Sequence, residues 1–484
     1  MEEQSLKDKT IKGVGWSAID SLLGQGITFI VGLVLARLLS PGEYGLIGLT
    51  MIFITIFNAI IDSGFSQALI RKKNVSNVDY NTMFITNMAL SVLMFLVLFF
   101  CSPSIAAFFG RPELTSLTRV MGIVLIIHAL SITQHTVLIK RIDFKTKTKA
   151  SLISAILSGV VGIAMAYADF GVWALVGQQI ARQLINTICL WVFNRWWPNF
   201  TFNHESFKYM WGFGWKMLVS GLLDNIWRES YQAVVGKFYT PATLGQYSRA
   251  KEFASIFSSN IQNIVGRITF PVLAEIQDEK IRLVGAYRRI IKTTMFVTVT
   301  CMISIGAVAE PLIYCMIGPQ WHQAATFLPL ICISLSLYPL HSINLNMLKV
   351  QGRSDLFLGL EIIKKIIAIG PICIGIFVNI YWMVVSSVIA GIISFFLNSH
   401  YSGKMLGYSS WMQLKDVAPS FGLALTIAFL VYFLKYLPIS NWIILPLQIA
   451  VGTVTFYTIC EKAKIQEYVE IKAMIVSLIR KIQK

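Results

Sequence analysis

NTMFITNMALSVLMFLVLFFC, residues 81–101, runs for twenty-one positions without a charged side chain. A helix of that length covers ~32 Å at ~1.5 Å per residue, enough to cross the ~30 Å hydrocarbon core of a bilayer. A barrel strand would instead show about ten residues of alternating polarity, and no such alternation is present here. The whole chain repeats this character. Of 484 residues, 55% are apolar and 13% charged, against about 25% charged in a typical soluble domain, and the mean hydropathy is +0.66. A water-soluble globular fold is excluded.

Apolar runs of similar length lie near 13–38, 45–67, 81–101, 118–139, 148–168, 171–194, 209–235, 242–266, 293–317, 324–348, 356–378, 381–400, 417–436 and 441–460. They predict an all-α polytopic membrane protein with fourteen spans. The net charge of +17 would suggest nucleic acid in a soluble chain, but in a membrane protein it reports orientation. Lys and Arg crowd every second connection, as in Arg71, Lys72 and Lys73, then Lys140, Arg141, Lys145, Lys147 and Lys149. An even number of spans with this alternation places both termini in the cytoplasm, with membrane lipids as partners and no nucleic acid. The first apolar run extends into a full span, so no cleaved leader is expected. Seven cysteines without a CxxC pair read as small buried hydrophobes. Two charged segments, 275–292 and 463–482, place Leu283, Val284, Tyr287, Ile290 and Ile291, then Ile465, Tyr468, Val469, Leu478, Ile479 and Ile482, at helical spacing. Such patterns predict helices lying on the membrane surface.

An offset of 200 brings Ser40-Pro41-Gly42-Glu43-Tyr44-Gly45 over Thr240-Pro241-Ala242-Thr243-Leu244-Gly245. Val34, Phe53, Ile56, Phe57 and Ile61 also meet identical residues 200 positions on. The Pro and Gly weigh most, because they mark equivalent junctions between the first and second spans and between the seventh and eighth. Six spans of separation preserve orientation, so the copies are parallel repeats about an axis along the membrane normal. This predicts a six-helix lobe over 1–200, a second over 201–403, two additional C-terminal spans over 404–462 and an amphipathic tail over 463–484.

Charges inside a span cost at least ~2.5 kcal/mol each and mark wet cavities or ion pairs. Span seven carries Lys216, Asp224, Arg228 and Glu229, and span eight carries Arg249, Lys251 and Glu252. Lys216, Ser220, Asp224 and Arg228 recur every four residues and share a helical face that cannot point at lipid. One reading has these groups only neutralise one another, as Asp224 with Arg228 or Arg249 with Glu252. The other is a net cationic cavity for an anion, with Lys216, Arg228, Arg249 and Lys251 binding a diphosphate, since guanidinium groups grip phosphate bidentately. Asp20, Asp62, Asp224, Glu229 and Glu252 are the candidates for ion coupling or cavity lining, with Asn58 at i, i+4 from Asp62. Glu361, Lys364 and Lys365 on span eleven are weaker candidates. His128 and His135 suit interhelical hydrogen bonds better than a metal, and neither a metal nor a cofactor site is expected. GxxxxGK[ST], HExxH and GxSxG are absent, so no enzyme is expected.

Five segments together carry a family resemblance: VLARLLSPGEYGLIGL (34–49), DSGFSQALIRKK (62–73), GVWALVGQQIA (171–181), FGWKMLVSGLL (213–223) and TLGQYSRAKEFA (243–254). The chain resembles Wzx-type bacterial polysaccharide flippases, the PST branch of the multidrug/oligosaccharidyl-lipid/polysaccharide exporter superfamily, especially exporters of the colanic-acid and teichuronic-acid kind. The resemblance implies two lobes around a central cationic cavity formed by spans one, two, seven and eight. It implies an undecaprenyl-diphosphate oligosaccharide moved from the cytoplasmic to the periplasmic leaflet of the bacterial inner membrane, with polysaccharide polymerase or assembly machinery alongside. Lys216 and Arg249 are the positions it carries over, whereas Arg228-Glu229-Ser230-Tyr231 departs from the Asn- or Asp-rich stretch of relatives. The rivals are a multidrug or cation antiporter of the same superfamily, a lipid II flippase, and a membrane polysaccharide polymerase or ligase. An excess of Lys and Arg disfavours the antiporter. The last would need catalytic Arg or His in a sizeable periplasmic loop, where the longest such connection offers Arg111.

Overall fold

The computed structural model describes residue 16 and residues 20–482; the N-terminal tail with its lysines lies outside the described residues. Every regular element among them is helical. A π-helical turn over Asp20–Gly24 leads into α1 (Gln25–Leu38), followed by α2 (Pro41–Asp62), α3 (Phe65–Arg71), α4 (Asn77–Phe109), α5 (Leu114–Met121) and α6 (Ile123–Lys140). Next come α7 (Phe144–Tyr167), α8 (Val172–Asn194), α9 (His204–Phe238), α10 (Pro241–Glu275), α11 (Lys280–Ala307) and α12 (Ala309–Ile317). The chain closes with α13 (His322–Ser336), α14 (Tyr338–Val350), α15 (Ser354–Phe377), α16 (Ile380–Leu406), α17 (Ser410–Phe433), α18 (Asn441–Lys462) and α19 (Gln466–Ile482).

The described part of each expected apolar run is predominantly helical, and nine helical stretches among the described residues are long and apolar enough to cross a membrane. The chain is therefore an all-α, multi-pass membrane protein. α8, α9, α10 and α15 are outside those nine, and α9, α10 and α15 carry most of the charges singled out above, Asp20 and Asp62 excepted.

Packing gathers the chain into two compact units, Met1–Ser248 and Arg249–Lys484. In the first, α7 and α8 pair as a hairpin, α4 packs on α6, α6 on α8, and α9 lies along α2, α3 and α4. Small residues permit the closest approaches, as at Gly159, where a Cβ would stand 2.5 Å from a Val31 methyl. In the second unit the same pairings recur six spans later: α15 with α16, α11 with α13, and α14 with α16.

Both repeat junctions begin with a capped proline. Ser40 Oγ accepts from the Glu43 amide at 3.4 Å while the Glu43 carboxylate accepts from the Ser40 amide at 2.7 Å, and Pro41 fills the first helical turn, where its missing N–H costs nothing. At the second junction Thr240 Oγ1 accepts from the Thr243 amide at 3.2 Å. Inside the first unit the two junctions touch reciprocally. A Cβ on Gly45 would lie 1.8 Å from the Pro241 carbonyl oxygen, and one on Gly245 would lie 1.9 Å from that of Pro41. Each junction glycine thus meets the proline of the other junction, the reciprocal pattern of an approximate two-fold contact.

Segment 275–292 departs from the expectation of a surface helix. α11 continues from Lys280 into the ninth span without a break, and Leu283, Tyr287 and Ile291 are buried in the core of the second unit. A helical apolar stripe has the same period whether it meets lipid or protein, and Tyr287 Oη, donating to Asn344 Oδ1 at 2.8 Å, settles on protein. The tail does form a separate helix, α19. Tyr468 packs on α11 and α17 residues with Ile471, and Arg289 and Lys292 of α11 pair with Glu470 and Glu467 at 2.9 and 2.8 Å. The side chains of Leu478, Ile479 and Ile482 lie outside the described residues.

A polar knot closes the basic end of the first unit. Asp79, buried at the start of α4, accepts from Lys72 at 2.8 Å, from the Ser76 amide at 2.9 Å and from Ser206 Oγ at 2.7 Å. Breaking such a pair strands Lys72, which is half-buried. Asp79→Ala is expected to destabilise the protein by about 3 kcal/mol, read as a lowered midpoint in detergent thermal unfolding. An unchanged midpoint would contradict the structural role.

Candidate functional site

Much of α9 is exposed, including Trp211, Trp215, Val219, Leu223 and Ile226. Met210, Gly214, Val235 and Gly236 are buried, while Lys216, Ser220, Asp224 and Arg228 are exposed along one stripe, four residues apart. Lys216 stands 5.9 Å from the Trp215 ring, and Arg228 has no ion pair among the described residues. Glu229 is half-buried beside that stripe. The expected shared face exists, and among the described residues no ion pair joins Asp224 to Arg228.

Span two is discontinuous, which the sequence reading missed. α2 ends at Asp62, Ser63 and Gly64 take left-handed backbone angles (φ 48° and 71°), and α3 restarts at Phe65. Ser66 Oγ donates to the Asp62 carboxylate across this break. The break docks on α9 beside Lys216: a Cβ on Gly64 would meet the Gly214 carbonyl at 2.8 Å, and one on Gly214 would meet the Ser63 carbonyl at 2.5 Å. Gly64 was the available signal, since a left-handed residue after Asp-Ser is where glycine escapes the Cβ penalty. Broken helices line transporter sites because freed backbone groups need a polar surrounding. The break that follows Asp62 and the turn bearing Lys216 are thus in contact. One turn earlier on α2, Asn58 keeps a buried oxygen without a hydrogen-bond partner among the described residues, and so does Asp20 in the π-turn before α1.

Arg249, Lys251 and Glu252 open the second unit on α10. Arg249 is buried and donates to Glu252 at 2.7 Å. Here the neutralising reading holds in part. Glu252 is 43% exposed, so its end of the pair reaches the surface. Lys251 is half-buried. On α15, Lys364 is paired with Glu361.

The two histidines of α6 reach across to α8. His128 Nδ1 lies 3.2 Å from Gln183 Nε2, and His135 Nε2 lies 3.4 Å from Asn186 Nδ2. They form the interhelical seam expected of them. In the basic cluster after α6, Lys140 donates to the Ile70 carbonyl at 2.9 Å, closing the end of α3. Lys145 stands 5.7 Å from the Trp16 ring.

These features sit in a fold that is known. The chain resembles the lipid II flippase MurJ in its inward closed conformation, with a TM-score of 0.71 at 15% identity over 93% of this chain and 97% of that one. It also resembles an inward-facing multidrug-resistance transporter of the MATE family, with a TM-score of 0.62 at 15% identity over 79% and 94% of the two chains. In sequence it is 25% identical to the succinoglycan biosynthesis transport protein ExoT of Rhizobium meliloti over 76% of this chain and 74% of that protein. It is 26% identical to the teichuronic acid biosynthesis protein TuaB of Bacillus subtilis over 73% of each. To the lipopolysaccharide biosynthesis protein WzxC of Escherichia coli it is 22% identical over 77% and 76%. The exporter resemblance read from the five motifs is borne out. A family model described as polysaccharide biosynthesis protein matches residues 34–326, a stretch that holds all five motifs and well over half the sequence, and the chain belongs to that family.

Proposed function

We propose that the protein is a flippase carrying an undecaprenyl-diphosphate-linked oligosaccharide from the cytoplasmic to the periplasmic leaflet of the bacterial inner membrane. The carrying observation is the exposed stripe of Lys216, Ser220, Asp224 and Arg228 on a helix of an otherwise apolar bundle. Exposed charge at such depth needs water or an ionic guest. A diphosphate supplies paired acceptor oxygens that suit Arg228 and Arg249 bidentately and Lys216 and Lys251 as point charges. The glycan would travel in the wet interior while the polyprenyl chain stays in lipid. Repeats over 1–200 and 201–403 rocking about the site give alternating access, with fourteen crossings and both termini cytoplasmic. Asp62, at the helix break beside the Lys216 turn, is the carboxylate best placed to couple the cycle to an ion.

The test is translocation in proteoliposomes, using the lipid-linked oligosaccharide extracted from a source strain lacking this gene. The wild-type protein is expected to expose the glycan to an external glycosidase. Charge reversal by Lys216→Glu with Arg228→Glu is expected to abolish this. Reconstituted wild-type protein that moves no lipid-linked oligosaccharide would end the proposal.

A further inference from the structure

The second unit holds a pocket of about 470 Å³ lined by both polar and apolar groups, within the ~300–1,000 Å³ usual for small-molecule sites. It is walled by the end of α13, by α14, and by α15 and α16. It extends from Lys349 and Phe357, next to the α14–α15 turn, to Lys364, seven residues and ~10 Å beyond Phe357 along α15. Polar walls at this depth in a membrane protein are costly unless something wet or bound occupies them.

The kind of occupant follows from which wall groups are already engaged. Lys364 is paired with Glu361, Lys349 lies 4.4 Å from the Phe357 ring, and His341 sits 3.4 Å from Asn398. The charges of the pocket are therefore spoken for. Ser334, Ser342, Asn346 and the Tyr338 hydroxyl make no hydrogen bond among the described residues. What remains open is uncharged, both donating and accepting, and set beside aromatic rings. That is the complement of a polyhydroxylated ring, whose hydroxyls both donate and accept while its C–H face packs on an aromatic surface.

We infer that this pocket receives a sugar ring of the carried glycan, separately from the groups that hold the diphosphate. The identity of the glycan rests on the flippase reading; the pocket's preference for a neutral sugar does not. It supplies what a diphosphate site lacks, discrimination among glycans, because unpaired wall groups penalise a ring with misplaced hydroxyls.

Gly391 of α16 offers a plug. It lines the pocket, and an added Cβ meets nothing within 4 Å, so Gly391→Phe fills the space without displacing a neighbour's backbone. The probe is the free oligosaccharide released by mild acid from the extracted lipid. Its contact with detergent-purified full-length protein is read by saturation-transfer NMR. A signal is expected for the wild type, falling about tenfold in Gly391→Phe and in Ser342→Ala with Asn346→Ala, as lost hydrogen bonds to a ligand would produce. A signal that persists in both variants overturns the inference. So does no signal from wild-type protein, and if that same protein still flips the lipid-linked glycan, the flippase reading survives alone. Conversely, protein that flips nothing but binds the sugar, and loses it on plugging, removes the flippase reading and keeps the pocket.

Discussion

Gly45→Ala and Gly245→Ala each destabilise the protein and stop transport, although alanine normally improves a helix by about 1 kcal/mol over glycine. The sign reverses here because the new methyl carbon would fall 1.8 or 1.9 Å from a carbonyl oxygen of the opposing helix start, where no side chain can yield. Separating two packed backbones costs about 1–3 kcal/mol and spreads the junction. Thermal unfolding and translocation of lipid-linked oligosaccharide check this, with Gly422→Ala as a control, since a Cβ there meets nothing within 4 Å. The reciprocal contact adds a sharper expectation. Once one glycine has pushed the helix starts apart, the second substitution meets less resistance, so the double variant costs clearly less than the sum of the singles. Strict additivity would show that the two glycines do not share one contact.

Arg249→Ala combined with Lys251→Ala lowers translocation about 100-fold, because two charge-assisted contacts to phosphate contribute about 3 kcal/mol together. The decisive companion is Glu252→Gln. If the 2.7 Å pair exists only to neutralise Arg249, removing the acid harms the protein as much as removing the arginine. If Arg249 serves the diphosphate, Glu252→Gln frees a guanidinium edge and leaves transport equal or faster. Arg249→Lys separates charge from geometry, restoring the former without the planar fork. Translocation by the double alanine variant at the wild-type rate would discard the site assignment.

The spans were legible because crossing hydrocarbon demands about 20 apolar residues, a signal that survives any tertiary arrangement. The junction repeat was legible for a similar reason: Pro41, Gly45, Pro241 and Gly245 each meet a backbone constraint that few other residues satisfy. Helix interruptions at Ser63–Gly64, Gly122, Val308 and Leu337 escaped, since hydropathy averaged over a window is blind to a break confined to one or two residues. The stripe on α9 was visible because four-residue spacing fixes a face whatever surrounds it. The pocket in the second unit was not, because its walls come from separate helices, Asn346 from α14, Glu361 from α15 and Gly391 from α16, and none has a distinctive spacing. The tyrosine in 275–292 misled, as lipid and protein reward the same amphipathic period.

The clasp between α11 and α19 has a bearing on handling the molecule. Arg289 is 70% exposed in its pair with Glu470, so counter-ions reach it readily, and at 1 M salt the screening length shrinks to about 3 Å. Concentrated electrolyte should therefore slacken the carboxy-terminal strap while the sealed interior stays intact. A fluorophore or affinity handle appended there would then report ionic conditions as much as anything the transporter carries.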